Sequence, residues 1–391
     1  MASIALTVAT CLPPGWGRWV ANRRTQAILA QVLGAVALVA IAILLTTTLI
    51  GNLARLNLTT GFEFLWRPAG MKIGESVFPL APSDSFAWAV VAAILNTIRV
   101  AVAGIVLATI IGTAIGIMRL SSNPLLRGVT TVYVEVFRNT PLLLQILFWS
   151  AILLKLPAIR QAISLGDWAF LSQRGLQLPS LMLHAGVALW PGAIAAILCG
   201  IAAFLLARRR NRAAAIALGV LAAILALLVV WSAQGAVGVE RPVRKLFGFT
   251  GGFTLTPEFC ALLAGLTAYT AAFIAEIVRG GILAIPSGQW EAARSLGLRN
   301  GAILRHIVLP QALRVILPAM TSQYVGLVKN SSLAVAIGYP DLFWAISTAI
   351  NVTGHAVEGV ALMMVCYLVL TLGTSGAMNT WYSRMIRRGA R

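Results

Sequence analysis

The sequence contains few charged residues, and acidic residues are the scarcest of them. Asp and Glu together number 11 in 391 residues, and all charged residues make up 10% of the chain. Because a water-soluble domain carries about 25% charged residues, this composition excludes an ordinary soluble enzyme or binding module. The chain is instead 59% hydrophobic, with a mean hydropathy of +0.88. Several apolar runs exceed the roughly 20 residues that a helix needs to cross a bilayer, which indicates a polytopic, all-α membrane protein.

The sequence also lacks the motifs of common catalytic sites. It has no GxxxxGK[ST] and no Gly-Lys dipeptide, so it cannot form its own phosphate-binding loop. The three histidines stand in separate segments without HExxH, GxSxG is absent, and no pair of cysteines has CxxC spacing. We therefore expect no catalytic residue, no metal site and no cofactor bound by this chain.

Hydropathy predicts eight membrane-spanning helices, with ends defined to within a few residues. They lie near 26–51, 87–118, 129–155, 183–206, 213–232, 257–284, 312–337 and 358–383. The first apolar run is too long for the apolar part of a cleavable signal peptide, so we expect it to be retained as a span.

The basic residues predict which side of the membrane each connecting segment faces. The net charge is +19, but the basic residues form short clusters between apolar runs, which is not the pattern of a nucleic-acid-binding surface. If the amino terminus is inside, the inner segments hold sixteen more basic than acidic residues, and the outer segments hold one more. This asymmetry predicts that both termini face the cytoplasm.

One predicted inner segment, EAARSLGLRNGAILRHIVLP at residues 291–310, is basic and amphipathic. Ser287 is expected to cap a short helix, Gly297 to end it in a left-handed turn, and Asn300 to cap a second helix. Pro310 lacks an N–H and is expected to break or redirect the chain before the next span. We call residues 286–311 the elbow. On spacing alone, an ordinary amphipathic helix at the membrane surface is the less favoured alternative for the elbow.

The elbow resembles the cytoplasmic coupling loop of ABC-type import permeases, in which EAA is followed after three residues by Gly and after nine more by I-x-L-P. The matching residues are Glu291, Ala292, Ala293, Gly297, Ile307, Leu309 and Pro310. The resemblance implies that the elbow seats in a cleft of a separate ATP-binding subunit. ATP and Mg would then be bound by that partner and not by this chain.

Other segments resemble the polar amino acid branch of these permeases, the His/Glu/Gln/Arg/opine type. They are NTIRVAVAGIVLATIIGTAIG (96–116), YVEVFRNTPLLLQ (133–145), YTAAFIAEIVRGGILAIPSGQWEAA (269–293) and LPAMTSQYVGLVKNSSLA (317–334). The long form of the chain is similar to permeases of general L-amino acid importers. The resemblance implies a type I importer core of five helices, to which this chain adds an N-terminal span and an inserted two-helix hairpin.

The resemblance also implies an organisation and a set of partners. Residues 1–86 form the N-terminal arm, first span and outer loop, 87–155 and 257–391 the permease core, and 156–256 the outer loops and inserted hairpin. The expected partners are two ATP-binding cassette ATPase subunits, a second homologous permease favoured over a second copy of this chain, and a periplasmic amino acid-binding protein. The expected location is the bacterial inner membrane.

Polar residues inside the predicted spans are candidates for a translocation path, because an ionisable group at a helix centre costs about 2.5–3.5 kcal/mol unless it faces protein or water. The candidates are Glu135, Arg138, Asn139, Thr140, Gln145, Tyr269, Thr270, Glu276, Arg279, Gln323 and Lys329. Their groups suit an amino acid, which carries both an ammonium and a carboxylate. Interhelical ion pairs, boundary anchors and subunit contacts remain open as alternative roles. Pro141 is expected to loosen the helix near the first group.

Small residues recur every four positions along one face of the second predicted span, at Gly104, Ala108, Gly112 and Gly116. This spacing predicts close helix packing.

Two other classes of membrane protein compete with the importer. An ion-coupled secondary transporter would use Glu135 and Glu276 as coupling sites and would show inverted repeats, which this sequence does not display. An intramembrane enzyme would need a metal or nucleophile constellation, which the sequence also lacks.

Overall fold

The computed structural model of the chain describes residues 23–55, 61–71, 73–166, 168–183, 199–200, 202–203, 212–232, 237–245 and 248–389. Helices dominate this part of the chain. They are α1 (Arg23–Arg55), α2 (Phe86–Met118), α3 (Pro124–Asn139), α4 (Leu142–Leu154), α5 (Arg212–Ser232), α6 (Pro257–Leu283), α7 (Ser287–Ser295), α8 (Asn300–Ile303), α9 (Leu309–Asn330), α10 (Leu342–Thr353) and α11 (Ala356–Gly389).

Five helical segments within the described residues are long and apolar enough to cross a membrane, or six if the bent pair α3–α4 is one span. The fourth of them runs without interruption from Asn300 to Ile337. The polytopic, helical class is confirmed, whereas the predicted number of eight spans is not. Most of the predicted span 183–206 lies outside the described residues, and the predicted span 213–232 corresponds to α5.

The core is built on close packing of α2 against α6. A Cβ atom added at Gly112 would lie 2.7 Å from the backbone oxygen of Ala271, and one at Gly116 would lie 2.7 Å from that of Ala275. Only glycine permits this approach, so the predicted role of the small-residue stripe is confirmed. By contrast, every side chain of α1 from 26 to 48 is exposed, as expected for an added helix that the core does not need.

The predicted span 129–155 is not one continuous helix. Its two parts, α3 and α4, meet at 108°. Pro141 forces the preceding Thr140 into an extended conformation, with φ −100° and ψ 132°. The side chain of Gln145 stabilises the bend, because its Nε2 donates to the carbonyls of Phe137 at 2.9 Å and Thr140 at 3.0 Å. The sequence predicted a loosened helix here, and the structure has a sharp corner.

The segments predicted to lie on the outer side contain strands that the sequence did not predict. They are β1 (Ile163–Leu165), β2 (Ala169–Ser172), β3 (Gly175–Leu178), β4 (Ser180–Leu183), β5 (Val237–Glu240), β6 (Val243–Arg244), β7 (Phe249–Thr250) and β8 (Phe253–Leu255). An antiparallel sheet has the order β1-β2-β3-β8, and β4-β5 and β6-β7 form separate antiparallel pairs. Strands of two to four residues are too short to show a period in the sequence.

The loop before α2 folds back onto the helical core. Phe64 is 1% exposed and its ring stacks on that of His355, with centroids 5.0 Å apart. Phe86, at the start of α2, and Ala349, in α10, belong to the same buried cluster. The described residues of this loop, 61–71 and 73–85, therefore cap α2 and α10.

Candidate functional site

The elbow begins with α7, which ends in a left-handed glycine as predicted. Gly297 has φ +73°, and its N–H donates to the carbonyl of Arg294 at 2.9 Å. The N–H of Leu298 donates to the carbonyl of Ala293 at 3.3 Å. These two bonds form a Schellman motif, which satisfies carbonyls at the helix end and reverses the chain toward α8.

Two of the predicted helix caps are wrong by one residue. Ser287 and Asn300 are the first residues of α7 and α8, and the cap positions belong to Pro286 and Arg299, without a side-chain hydrogen bond at either. The sequence predicted that Ser287 and Asn300 would occupy the cap positions themselves. There the side-chain oxygen of each would accept a hydrogen bond from a backbone N–H of the helix that follows.

The prediction that Pro310 breaks the chain is also wrong. Residues Leu304–Val308 form a π-helical turn between α8 and α9, and Pro310 lies within the first two positions of α9. The wider π turn accommodates a residue without an N–H at the junction, so the helix continues. The second part of the elbow, from Asn300, is consequently joined to α9 as one continuous helical segment.

A small apolar cluster anchors the elbow to the end of α6. Ala293, Ile303 and Val308 are 2%, 0% and 0% exposed, and Ile282 and Ile285 pack against them. Ile307 is half-buried beside the same cluster. A displacement of the elbow would therefore act on α6 through these contacts and on α9 through the chain itself.

The remaining matched residues of the elbow face outward. Glu291, Ala292, Leu309 and Pro310 are exposed. The carboxylate of Glu291 makes no ion pair among the described residues, and its backbone carbonyl accepts from the hydroxyl of Ser295 at 3.0 Å. The elbow thus has an anchored apolar face and a projecting face available to another subunit.

The second group of candidates centres on Glu276 of α6, which pairs with three arginines. Oε1 of Glu276 accepts from Arg279 at 2.7 Å, Oε2 accepts from Arg119, and Arg138 lies 3.9 Å from Oε2. Arg138 also lies over the ring of Phe273, 5.2 Å from its centroid. The cluster joins α2, α3 and α6, so an interhelical ion-pair role fits these contacts.

Arg119 was missed as a candidate because it was counted among the inner orientation charges. Its side chain is only 9% exposed, less than those of Arg138 and Arg279. The only sign of this pairing in the sequence was that an arginine directly follows one predicted span while another predicted span contains a glutamate.

The candidates at the bend contact one another. Asn139 donates to the carboxylate of Glu135 at 3.1 Å, and the hydroxyl of Thr140 donates to the carbonyl of Val136 at 2.7 Å. Glu135 and Asn139 are exposed, whereas Gln145 is 6% exposed. Gln145 and Thr140 therefore stabilise the corner, and Glu135 and Asn139 remain available to solvent or a partner.

Lys329 of α9 lies at a groove of mixed polar and apolar lining between α9 and α11. The groove has a volume of about 590 Å³, and its hydroxyl-bearing lining residues are Thr321, Ser322, Thr371 and Ser375. Lys329 is exposed, and it makes no ion pair among the described residues. An exposed ammonium at this depth of a predicted span requires water or protein beside it.

The other three candidates are more enclosed. Thr270 is 3% exposed, and Tyr269 is half-buried with its ring 4.8 Å from that of Phe273. Gln323 is half-buried on α9. Neighbouring Tyr324, with its hydroxyl 2.7 Å from that of Thr109, ties α9 to α2.

A buried network at the outer ends of α2 and α6 was not predicted. Glu75 pairs with Arg99 at 2.5 Å and accepts from the hydroxyl of Thr256, the residue that caps α6. The amide of Asn96 donates to the backbone carbonyls of Glu75 at 2.7 Å and Pro340 at 3.0 Å. Burial raises the pKa of the Glu75 carboxyl above its ordinary value, although Thr256 and Arg99 act in the opposite direction.

The described residues contain no group of three or more His, Cys, Asp and Glu side chains that could hold a metal ion. Nothing in this part of the chain builds a catalytic constellation.

Comparison with known proteins identifies the family. The model of the family described as "Binding-protein-dependent transport system inner membrane component" matches residues 213–388. The chain is 44% identical over 378 residues to the "Putative amino-acid ABC transporter permease protein YhdX" of Escherichia coli (strain K12), an alignment that covers 93% of this chain and 95% of that protein.

Two further relatives are permeases with named substrates. The chain is 43% identical to the "General L-amino acid transport system permease protein AapQ" of Rhizobium johnstonii, over 85% of this chain and 86% of that protein. It is 36% identical to the "Glutamate/glutamine/aspartate/asparagine transport system permease protein BztB" of Rhodobacter capsulatus, over 83% of this chain and 85% of that protein. The chain therefore belongs to the family of binding-protein-dependent transport system inner membrane components, as a permease subunit of an amino-acid ABC transporter.

Proposed function

We propose that this permease subunit serves an ATP-driven importer for polar L-amino acids, and that the elbow couples it to two separate ATPase subunits. The observation that carries this proposal is the construction of the elbow. It has an exposed face bearing Glu291 and an opposite face anchored by Ala293, Ile303 and Val308. The partners bind ATP and Mg, and a soluble amino acid-binding protein delivers substrate at the outer surface.

The elbow suits the transmission of a movement into the membrane. Closure of ATP-bound ATPases can shift the permease only through contacts that differ between its two conformations. The elbow can pass a shift at its exposed face to two helices, because it leads into α9 and packs against the end of α6. Both helices belong to the five-span core implied by the sequence resemblance.

The substrate class is supported by the relatives and by the groups along α9. Two relatives bear names that specify general L-amino acids or glutamate, glutamine, aspartate and asparagine. The groove at Lys329 offers an ammonium and four hydroxyls in about 590 Å³. We place the translocation path along this groove and assign the Glu276 cluster to interhelical ion pairing near the predicted inner surface.

The proposal also includes a second permease subunit and a defined orientation in the membrane. The proposed arrangement is a heterodimer of related permeases in the bacterial inner membrane, with both termini in the cytoplasm. The excess of basic residues in the predicted inner segments supports this orientation.

The proposal is tested by two substitutions at Gly297. Valine is strongly disfavoured at φ +73°, whereas asparagine tolerates that conformation. A Cβ atom at this position meets nothing within 4 Å, so the backbone conformation is the main difference between the two substitutions. We expect Gly297→Val to lower ATP-dependent uptake and substrate-stimulated ATP hydrolysis together by about tenfold or more, and Gly297→Asn to retain most of both.

The measurement is uptake of labelled glutamate, glutamine, histidine and arginine into vesicles that contain the complete transporter. Copurification of the ATPases and the melting temperature of the complex check that each variant assembles. Equal uptake by the wild type and an assembled Gly297→Val variant would remove the coupling role of the elbow. Uptake that persists without ATP would favour an ion-coupled carrier instead.

A further inference from the structure

A large apolar groove lies between the predicted inner ends of α2 and α6. Its volume is about 910 Å³, within the range of sites that hold small ligands. Its walls come from α2, α3, α6 and the elbow, at residues such as Ile117, Leu126, Leu283 and Trp290. We call it the inner groove. An occupant of this groove would contact the elbow and the ends of two core helices together.

The apolar walls of the inner groove are not covered by the chain itself. Ile117, Leu126 and Leu283 are 51%, 43% and 59% exposed. Ile117 and Leu283 lie in the last turns of α2 and α6, and both helices are long and apolar enough to cross a membrane. Uncovered apolar surface of this kind marks a site of interaction. Its place at the ends of two spans suits an occupant that has a hydrocarbon part.

The polar lining residues stand beyond the helix ends. They are Ser121 and Ser287, which follow the last residues of α2 and α6 by three and four positions. Because both helices run toward the predicted inner side, these hydroxyls lie closer to the aqueous phase than Ile117 and Leu283 do. The groove is therefore amphipathic along its length, in the same sense as a phospholipid of the inner leaflet.

Arginines surround the polar end of the groove. The segments that build it, 117–127 and 282–310, contain five arginines and one acidic residue. The five are Arg119, Arg127, Arg294, Arg299 and Arg305. Arg119 pairs with Glu276, whereas the other four are exposed and make no ion pair among the described residues. This end of the groove thus carries a positive charge that the described chain leaves uncompensated.

Two of these arginines are placed next to residues that line the groove. Arg127 directly follows Leu126 at the start of α3. Arg294 lies four positions after Trp290 in α7, which puts the two on the same face of that helix. Both arginines can therefore reach a negative group at the polar end.

We propose that the inner groove binds an anionic phospholipid of the inner leaflet. An acyl chain would lie along Ile117 and Leu283, and the phosphate would lie beside Arg127 and Arg294. Basic pockets between membrane helices on the cytoplasmic side suit anionic lipid head groups. A zwitterionic lipid would fit the apolar walls equally well but would gain less from the arginines. This site goes beyond the proposed function, because lipid binding does not require the coupling role of the elbow.

Trp290 connects the lipid site to the elbow. Its side chain lines the groove and also packs against the buried cluster of Ala293, Ile303 and Val308. Tryptophan suits the boundary between hydrocarbon and head groups. A bound lipid would therefore support the anchored face of the elbow and stabilise the folded complex, as a ligand of the native state does.

The test measures lipid binding to the complete transporter in detergent by native mass spectrometry, without ATP or amino acid. The probes are phosphatidylglycerol and phosphatidylcholine with identical acyl chains. We expect the wild type to bind phosphatidylglycerol at least about tenfold more tightly, and the double variant Arg127→Gln with Arg294→Gln to bind the two lipids within about twofold of each other. Phosphatidylglycerol should raise the melting temperature of the wild type but not of this variant.

The matched control is Arg314→Gln with Arg384→Gln, which removes the same charge at the contact between α9 and α11. None of the lining residues of the groove belongs to α11. We expect the control to keep the preference of the wild type. An intact preference in the Arg127→Gln, Arg294→Gln variant overturns the proposal, and so does an equal loss of preference in the control.

A second variant tests the apolar part of the site. Leu283→Trp places a larger side chain in the groove, so we expect it to weaken binding of both lipids by about fivefold or more. Unchanged binding by this variant would contradict the proposal. Displacement of phosphatidylglycerol by glycerophosphoglycerol, which has the head group and no acyl chain, would show a site for soluble anions instead. Because ATP and substrate are absent, failure of the proposed coupling role would leave these outcomes unchanged.

Discussion

Two ion-paired carboxylates lie toward opposite ends of α6, and they differ in how many arginines surround them. Glu75 contacts the cap residue at the predicted outer end, and Glu276 lies near the other end of the helix. At the outer end, Glu75 is 8% exposed and pairs with Arg99 alone. At the other end, Glu276 is 29% exposed and meets three arginines, two of which are at least 33% exposed. The outer pair is balanced in charge and mostly buried, whereas the inner cluster has an excess of positive charge and reaches solvent.

The difference indicates different physical roles. The outer pair closes a junction of three separate segments, the loop before α2, α2 itself and the start of α6, where an unpaired charge would be expensive. The inner cluster can tolerate rearrangement because water screens its charges.

The largest expected effect comes from breaking the outer pair. Glu75→Gln leaves Arg99 without a carboxylate, between the rings of Phe253 and Phe259. We expect the free energy of unfolding to fall by about 3 kcal/mol, the lower end for removal of one partner of a buried pair. Arg99 and the hydroxyl of Thr256 lose a charged acceptor, while the burial that raises the pKa of Glu75 offsets part of the loss. The measurement is unfolding of the purified complex in mixed micelles. Glu63→Gln, an exposed acid in the same loop, is the control and should change stability by less than about 0.5 kcal/mol.

The next effect concerns the pH dependence of stability, which we expect to arise from Asp341. This residue follows Pro340, whose carbonyl accepts from Asn96 in the network of Glu75 and Arg99. The carboxylate of Asp341 is fully buried, caps α10 through the N–H of Trp344 at 2.9 Å and accepts from Tyr367 at 3.1 Å. Burial raises its pKa to about 6. Because the folded-state pKa lies above the unfolded value, the carboxyl stabilises the fold most below about pH 4, and that contribution is lost as the pH rises through about 6.

Asp341→Asn should therefore remove this pH dependence while retaining an oxygen for the helix cap. At pH 8 the variant should gain up to about 3 kcal/mol over the wild type, since one pKa unit corresponds to about 1.4 kcal/mol. Melting temperatures between pH 4 and 8 measure the difference. A wild type whose stability rises through pH 6 relative to the variant would contradict the assignment.

The smallest effect is expected at the inner cluster. Glu276→Gln leaves three arginines near one another, but two of them reach water, so we expect a loss of about 1–2 kcal/mol that decreases with added salt. Arg138→Gln is the control, because its contact of 3.9 Å is long and exposed, and it should cost less than about 0.5 kcal/mol. If Glu276→Gln destabilises the protein more than Glu75→Gln does, the contrast between the two ends is wrong.

Local features of the sequence predicted the parts of the fold that depend on neighbours along the chain. The left-handed turn at Gly297 and the close approach at Gly112 and Gly116 are confirmed, because each depends on a residue type at a fixed spacing. The polytopic helical class and the family are also confirmed. The translocation path and the coupling role of the elbow remain predictions.

The expectations at the two prolines departed from the structure for one reason. Pro141 and Pro310 carry the same local signal, yet the chain turns sharply at the first and continues through a π turn at the second. At Pro141 the side chain of Gln145 satisfies the freed carbonyls of α3 and stabilises a corner. At Pro310 the buried cluster of Ile303 and Val308 holds the elbow in line with α9. Contacts made by neighbouring side chains, and not the proline alone, decided each outcome.

The sequence by itself determined that this chain is a helical membrane protein of the amino-acid permease family, because hydropathy, charge asymmetry and the elbow pattern are properties of consecutive residues. Only the tertiary structure decided which charges meet. Arg119 and Glu276 are 157 positions apart, and Thr256 and Glu75 are 181 apart. Such contacts form only when helix packing brings the segments together, because residues this far apart along the chain cannot meet through local secondary structure.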